Sequence, residues 1–175
     1  MTTQKKDACE KGTFTFLSNN GFQTKVWGPL LWVVLHIITL NYPNNPTDND
    51  KKQYKRFFVS LGNVLPCKTC RESYKHFIRE HPKTKLKWSH FRNRCAISKW
   101  LFVLHNEVNK KIHKTPKKGF LKMMQFYEQF RANCHQSKRV GCVHPAKGPR
   151  RRSIVKVMPL THCKKKRSVT CSNKK

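Results

Sequence analysis

Aromatic residues are confined to the first 133 residues of this chain, and that distribution limits where a hydrophobic core can form. All 11 phenylalanines, 4 tryptophans and 4 tyrosines lie there. The 42 residues from Cys134 onward contain no aromatic residue and no acid, but 13 lysines or arginines. Such a segment cannot bury enough apolar surface to fold by itself. We therefore predict an irregular lead-in over residues 1–24, a folded domain over 25–133, and a basic, poorly ordered tail over 134–175.

Apolar residues in the folded part recur at helical spacing. The clearest stripe runs from Ile97 to Ile112 at offsets 0, 4, 7, 8, 11 and 15, which lie on one face of a helix. Similar stripes broken by proline predict the other helices. They run from about Pro29 to Asn41, from a cap at Thr47 or Asp50 to Leu65, from Cys67 to Glu80, and from Phe120 through Met124 and Tyr127 to Phe130. No segment alternates like a strand. The predicted fold is all-α, a four-helix bundle with a short fifth helix.

Charge and hydropathy narrow the classes of function. A formal net charge of +30 fits two explanations, a solvated surface or contact with a polyanion such as nucleic acid, for which charge supplies phosphate affinity without sequence readout. The first 12 residues are polar, unlike a secretory signal. The longest apolar run, Val26 to Leu40, is shorter than the ~20 residues that span a bilayer. We predict a soluble protein that is not secreted and spans no membrane.

Cys67 and Cys70 form a Cys-x-x-Cys pair at the expected start of the third helix. Eight cysteines in a chain without a signal favour redox or metal chemistry. The helix N-terminus stabilises a thiolate, which is the form that attacks a disulfide. The same pair also fits half of a zinc site. Making new disulfides requires an electron sink, and flavin is a common one.

Polar and aromatic groups on two other helices suit a flavin. Trp32 and His36 lie one turn apart on the first helix, and His105 lies on the apolar stripe of the fourth. Asn106, Asn109 and the lysines at 110, 111 and 114 follow. Each has an ordinary explanation when taken alone, as a core or surface residue. Their arrangement around one cysteine pair favours a binding site.

Four motifs stand in one order along the chain: Trp27-Gly-Pro-Leu-Leu-Trp32-Val-Val-Leu-His36, Tyr42-Pro43, Pro66-Cys-Lys-Thr-Cys70 and His105-Asn-Glu-Val-Asn109-Lys-Lys-Ile-His-Lys114. This set resembles the FAD-linked sulfhydryl oxidases of the Erv/Alr type. Its Trp-Gly-Pro opening is similar to the forms found in large DNA viruses. The resemblance covers about residues 26 to 114.

The resemblance implies a bundle that holds FAD, oxidises thiols of substrate proteins and reduces oxygen to hydrogen peroxide. Cys67 and Cys70 would be catalytic, with Cys70 against the flavin and Cys67 exchanging with incoming thiols. No metal is expected. By matching position, the cofactor site would contain Gly28, Trp32, His36, Tyr42, His105, Asn106, Val108, Asn109, Lys110, Lys111 and Lys114.

The resemblance also implies partners and a location. Relatives dimerise through their first helices, so a homodimer is expected. Relatives often carry a relay pair on a flexible arm, for which Cys134/Cys142 and Cys163/Cys171 are candidates, with structural loops or unpaired thiols as alternatives. Cys9 is a candidate to bridge subunits, and Cys95 to replace a bridge that relatives make from the position of Phe102. The expected location is the host cytoplasm, with the virion as a second place.

One alternative function remains open at this point. Cys67 and Cys70 with two ligands from among His76, His81, His90 and Cys95 would make a structural zinc site in a basic nucleic-acid-binding protein without enzymatic activity. This alternative leaves Trp32, His36 and the segment 105–114 unexplained. A thioredoxin-like exchange protein would need strands around the motif, and none are predicted.

Overall fold

The computed structural model describes residues 21–117, 119–133 and 142–157. These residues form the predicted all-α bundle with its fifth helix, and none of their helices is long and apolar enough to span a membrane. The elements are α1 (Thr24–Leu40), α2 (Asp48–Val64), α3 (Lys68–Arg79), a 3₁₀ turn (Trp88–Phe91), α4 (Arg94–Lys111), α5 (Phe120–Glu128), and the strands β1 (Ala132–Asn133) and β2 (His144–Pro145).

Two helix pairs enclose the core. α1 packs on α4 and α2 packs on α3, while the 3₁₀ turn contacts α2 and α4. α5 packs on α1 through a smaller cluster that contains Leu40, Met123 and Tyr127. The side chains at the centre are fully buried and large, as the aromatic distribution predicts: Tyr42, Phe58, Phe91, Ile97, Leu101 and Leu104.

Side-chain caps fix where the helices begin. At α2 the cap is Thr47, whose hydroxyl accepts the Asp50 N–H at 3.1 Å while the Asp50 carboxylate accepts the Thr47 N–H at 2.8 Å. Asn93 caps α4 by accepting the Ala96 N–H at 2.9 Å. Each cap satisfies a backbone donor that the first turn leaves free. The start of the third helix, predicted at Cys67, is therefore correct to within one residue, and the stripe from Ile97 lies within a helix that begins at Arg94.

Three details of the sequence prediction are wrong. α1 begins at Thr24, inside the predicted lead-in, so Pro29 lies within the helix; the carbonyl it leaves unpaired belongs to exposed Lys25, which water can satisfy. Phe130 lies beyond the end of α5 and is 41% exposed. β1 and β2 pair antiparallel, and strands of two residues are too short to show alternation.

The predicted domain boundary stays a prediction, as does the disorder of the tail. The predicted boundary lies between residues 133 and 134, and the strand pair joins residues before it to residues after it. The Ala146 N–H also donates across this boundary to the Arg131 carbonyl at 2.8 Å. The tail residues 134–141 and 158–175 lie outside the described residues, as do residues 1–20 and with them Cys9.

Candidate functional site

Cys67 and Cys70 are joined by a disulfide at the start of α3. Cys67 is the N-cap residue, and its Sγ accepts the Cys70 N–H at 3.2 Å. The Thr69 hydroxyl lies 3.3 Å from the same sulfur. Both cysteines are half-buried. When the disulfide opens, these donors and the positive end of the helix dipole stabilise a thiolate on Cys67.

The turn that presents the disulfide is held by backbone contacts. The Phe22 N–H donates to the Pro66 carbonyl at 2.7 Å, and Gly21 forms an isolated antiparallel bridge with Cys67. Gly21 has φ of +109°, and a Cβ there would lie 2.8 Å from Cys67 Cα, so only glycine fits. The Arg71 guanidinium donates to the Leu65 carbonyl at 2.7 Å. The disulfide therefore lies on a rigid turn.

Trp32, His36 and His105 form one cluster between α1 and α4. The Trp32 and His105 rings stack with centroids 4.0 Å apart and planes 3° from parallel. His36 Nε2 lies 3.0 Å from His105 Nδ1, so the two imidazoles share one hydrogen bond. Tyr127 of α5 stacks on the other side of His36 at 5.5 Å. The predicted association of these three residues is thus present.

His36 Nδ1 is buried and has no hydrogen-bond partner. Buried polar atoms without partners are rare, and each one needs an explanation. A core histidine with an ordinary structural role would be satisfied at both nitrogens. This nitrogen is therefore available to a water or to a polar group of a bound ligand.

Burial keeps both imidazoles neutral. Desolvation, followed by the nearby Lys117 ammonium, lowers the pKa of His36 to about 4. Desolvation is also the main cause for His105, whose pKa is lowered to about 3 with help from His36, Lys117 and Lys114. The cluster thus presents neutral imidazoles in a positive field, which suits an anionic ligand.

Stability should fall in acid because of this cluster. Between about pH 4 and 6.5 the unfolded chain protonates His36 while the folded chain does not, so the free energy of unfolding decreases as pH falls. The expected loss from His36 is about 3 kcal/mol. Urea unfolding near pH 7 and pH 4 should show it, and His36→Gln should flatten the pH dependence. An unchanged slope in that variant would contradict the assignment.

The cluster and the disulfide border the same core. Trp32, Val108 and Cys70 all pack against it as partly buried residues. The Lys111 ammonium donates to Ser73 Oγ at 2.6 Å, and Ser73 lies one turn after Cys70 on α3. This hydrogen bond links the last turn of α4 to α3 at a position one turn after the redox pair.

The other predicted residues have separate roles. Asn106 closes the loop after α4, because its side chain bonds both backbone groups of Lys117 at 2.9 and 3.0 Å. Lys110 pairs with Glu107 at 2.7 Å. Asn109 is buried, and its carbonyl accepts the N–H of exposed Lys114 at 2.8 Å.

Tyr42 and Gly28, the two remaining predicted site residues, lie in different surroundings. The Tyr42 hydroxyl is fully buried and donates to the Phe91 carbonyl at 2.8 Å. Its own carbonyl accepts from Arg94, at the opposite end of α4 from His105. Tyr42 is therefore not brought to the cluster, and its contact with a cofactor stays a prediction. A Cβ at Gly28 would meet nothing within 4 Å, so open space lies beside this residue.

These residues fit a flat, anionic cofactor. The Trp32 and His105 rings already stack on each other at 4.0 Å. A cofactor ring between them would need two stacking gaps of about 3.5 Å each, so a ligand must lie outside the stacked pair. His36 Nδ1 offers an unused polar atom, and the lysines at 110, 111, 114 and 117 offer charge for phosphates. Lys117 was missed by the sequence reasoning, although the basic run after Lys114 was a signal.

Residues 29–131, more than half of the chain, match the Erv1/Alr family. The chain belongs to the Erv1/Alr family. The predicted resemblance is confirmed. A relative from Acanthamoeba polyphaga mimivirus, named a probable FAD-linked sulfhydryl oxidase, is 40% identical over 83 residues, which are 47% of this chain and 56% of that protein.

Yeast relatives support the same assignment. The mitochondrial FAD-linked sulfhydryl oxidase ERV1 of Saccharomyces cerevisiae is 32% identical over 84 residues, 47% of this chain and 41% of that protein. The crystal structure of the yeast Erv1 core superposes with a TM-score of 0.50 and 26% identity, covering 67% of this chain and 91% of that chain. This Erv1/Alr chain spans about half the length of the curated relatives it matches.

The states of the cysteines bear on the zinc alternative and on the predicted disulfide pairs. In this Erv1/Alr protein Cys67 and Cys70 are bonded to each other, and a disulfide does not offer the two thiolates that a zinc site requires. Among the described residues no group of three or more His, Cys, Asp or Glu could hold a metal ion. Cys95 is free and exposed, so it does not make the predicted replacement bridge there. Cys142 is disulfide-bonded; the predicted tail pairs otherwise lie outside the described residues.

Proposed function

We propose that this chain is an FAD-linked thiol oxidase that forms disulfides in substrate proteins. The observation that carries this proposal is the disulfide at the start of α3, which borders the same core as the Trp32–His36–His105 cluster. The names of the relatives support the same activity. Oxygen is the proposed final acceptor and hydrogen peroxide the product.

The cluster and its lysines are the proposed FAD site. Trp32 and His105 would supply a flat apolar surface, His36 would supply the unpartnered nitrogen, and Lys114 and Lys117, whose charges act on His105, would attract the phosphates. When bound, FAD supplies an acceptor for the two electrons of a dithiol and passes them to oxygen. The two imidazoles of the site stay neutral, because burying an imidazolium would cost too much free energy.

The cysteines carry out the exchange with substrate. A substrate thiolate attacks Cys67 Sγ, so a mixed disulfide forms and Cys70 leaves as a thiolate. A second substrate thiolate then attacks the substrate sulfur, which forms the product disulfide and releases Cys67. The Cys70 N–H and the Thr69 hydroxyl stabilise that leaving sulfur. Two substrate thiols are thereby oxidised, and the Cys67–Cys70 pair is reduced.

A visible absorption spectrum tests the proposal first. The purified protein should show the bands of oxidised flavin, because the site fits a flat anionic cofactor. The bands should bleach when dithiothreitol is added without oxygen, and they should return as oxygen is consumed and peroxide appears. A colourless protein that fails to oxidise dithiothreitol even when FAD is supplied would contradict the proposal.

We further propose a homodimer that associates through α1. Five apolar side chains are exposed on this helix at offsets 0, 4, 7, 8 and 11, which form one stripe, and each is 42–51% exposed: Val26, Leu30, Val33, Val34 and Ile37. A contiguous apolar stripe on a surface marks an interface. The same stripe on a second copy would cover it, since a two-fold axis brings identical patches together.

The remaining expectations are proposals about the whole protein. Substrate proteins with free thiols and the host cytoplasm, with the virion as a second place, are proposed as the setting, because disulfides do not form there without a dedicated oxidase. The bonded state of Cys142 is compatible with a relay pair and with a structural loop. Removing the tail cysteines should slow the oxidation of protein substrates but not of dithiothreitol if they form a relay.

A further inference from the structure

A basic groove runs along the outer side of α2. Its first part is a cavity of about 470 Å³, and its second part a cavity of about 280 Å³. Lys55 joins them, because it lines the second cavity while its ammonium lies 4.1 Å from the ring centroid of Trp88, which lines the first. We call this feature the α2 groove; its basic and aromatic residues are Lys51, Lys52, Lys55, Arg79, Lys85, Trp88 and Arg92.

The α2 groove carries almost only positive charge. Its single acid is Asp48, whose carboxylate is already paired with the Lys51 ammonium at 2.9 Å. The neighbouring His90 has a lowered pKa because of burial and then of Lys87 and Arg92. The groove therefore presents a positive field with little internal compensation. An anion is the ligand that this field attracts.

Trp88 indicates which kind of anion binds. Its side chain is 52% exposed, whereas Trp100 on α4 is 3% exposed and belongs to the core. The Lys55 ammonium over the ring is held by a cation–π contact that a ligand can displace. An exposed indole among cations is the combination that binds single strands, because bases stack on the ring while phosphates meet the ammonium groups. An acidic peptide would use the charges but not the ring.

The groove is separate from the proposed redox site. The part that contains Trp88 lies at the first turn of α2, while the disulfide follows the last turn of this helix, about 25 Å away by helix length. None of its residues belongs to the Trp32–His36–His105 cluster or to the lysines around it. A ligand in the groove would leave the disulfide accessible to substrates.

We propose that the α2 groove binds single-stranded nucleic acid, with a base stacked on Trp88 and phosphates on Lys51, Lys52, Lys55 and Arg92. This site lies on the folded domain and is distinct from phosphate contacts made by the basic tail. It would hold a disulfide-forming enzyme next to nucleic acid.

Fluorescence anisotropy of the full chain with a labelled thymidine oligonucleotide, and with an abasic strand of equal length, tests the proposal. Trp88→Ala should weaken binding of the oligonucleotide about 5- to 100-fold and leave binding of the abasic strand unchanged. Trp88→Phe should restore most of the loss. Lys52→Glu with Lys55→Glu should weaken both strands and reduce the salt dependence.

A matched double variant on other surfaces, Lys99→Glu with Lys122→Glu, controls for net charge and should have a much smaller effect. Dithiothreitol oxidation should be unchanged in Trp88→Ala, which also shows that the variant is folded. The proposal is overturned if Trp88→Ala and the double reversal in the groove bind like the parent chain, since binding would then reside in the tail. It is also overturned if polyglutamate of equal charge binds as tightly as the oligonucleotide and equally depends on Trp88.

Discussion

Replacing Cys70 by serine should abolish dithiothreitol oxidation, with a loss of about 10³-fold or more, while the protein keeps its flavin spectrum. A serine hydroxyl cannot form the disulfide with Cys67, so electrons have no route out of the substrate. Cys70 is half-buried at the edge of the core, and serine is slightly smaller, so the bundle should fold. Oxygen consumption by the purified variant, together with its visible spectrum, measures both quantities.

Two further variants locate the effect in the redox pair. Cys67→Ser should be equally inactive and equally folded, because Cys67 is the N-cap of α3 and serine is among the best capping residues. Cys95→Ser should retain full activity, because Cys95 is free and exposed on the first turn of α4. Substantial turnover by Cys70→Ser, or a strong loss in Cys95→Ser, would show that electrons pass through another pair.

The parts of this site that lie close in sequence could be predicted. Cys67 and Cys70 are three residues apart, and a helix cap requires nothing more distant than its own first turn. Trp32 and His36 are one turn apart, and helical periodicity alone places them on one face; their ring centroids are 6.3 Å apart. His105 is buried because it lies on the apolar stripe of α4.

The contacts between distant segments could not be predicted. Tyr127 stacks on His36 because α5 packs on α1, and no pattern within either helix specifies that contact. Lys117 is held near the imidazoles by Asn106, eleven positions earlier in the chain. Gly21 lies within the predicted irregular lead-in, yet its bridge to Cys67 depends on the tertiary position of the segment before α1. Tertiary packing, rather than local propensity, decides these contacts.

The contacts of Tyr42 could not be predicted for a different reason. The resemblance transfers residues by position and does not specify which contacts each one makes. In this chain the hydroxyl is buried against the Phe91 carbonyl, and the ring packs edge-on against Tyr54 at 4.5 Å. Tyr42 therefore contributes to the core from which the site is built, and its hydroxyl is paired with the Phe91 carbonyl.

Introducing two charges into the α1 stripe should convert the proposed homodimer into a monomer. In Leu30→Glu with Val34→Glu, association would bury carboxylates without partners, which costs several kcal/mol. We expect the dissociation constant to rise about 10³-fold or more. Both side chains are about half exposed in the folded chain, at 43% and 51%, so the helix itself should remain stable.

Sedimentation equilibrium of the parent chain and the variant measures this change. The matched control is Val64→Glu with Leu121→Glu, which adds the same charge at positions that are each 70% exposed and lie on α2 and α5; it should stay dimeric. A dimer that survives the α1 charges, or a parent chain that is monomeric at high concentration, would exclude the α1 stripe as the interface. Because His36 also lies on α1, a monomer that loses flavin would further show that dimerisation supports the cofactor site.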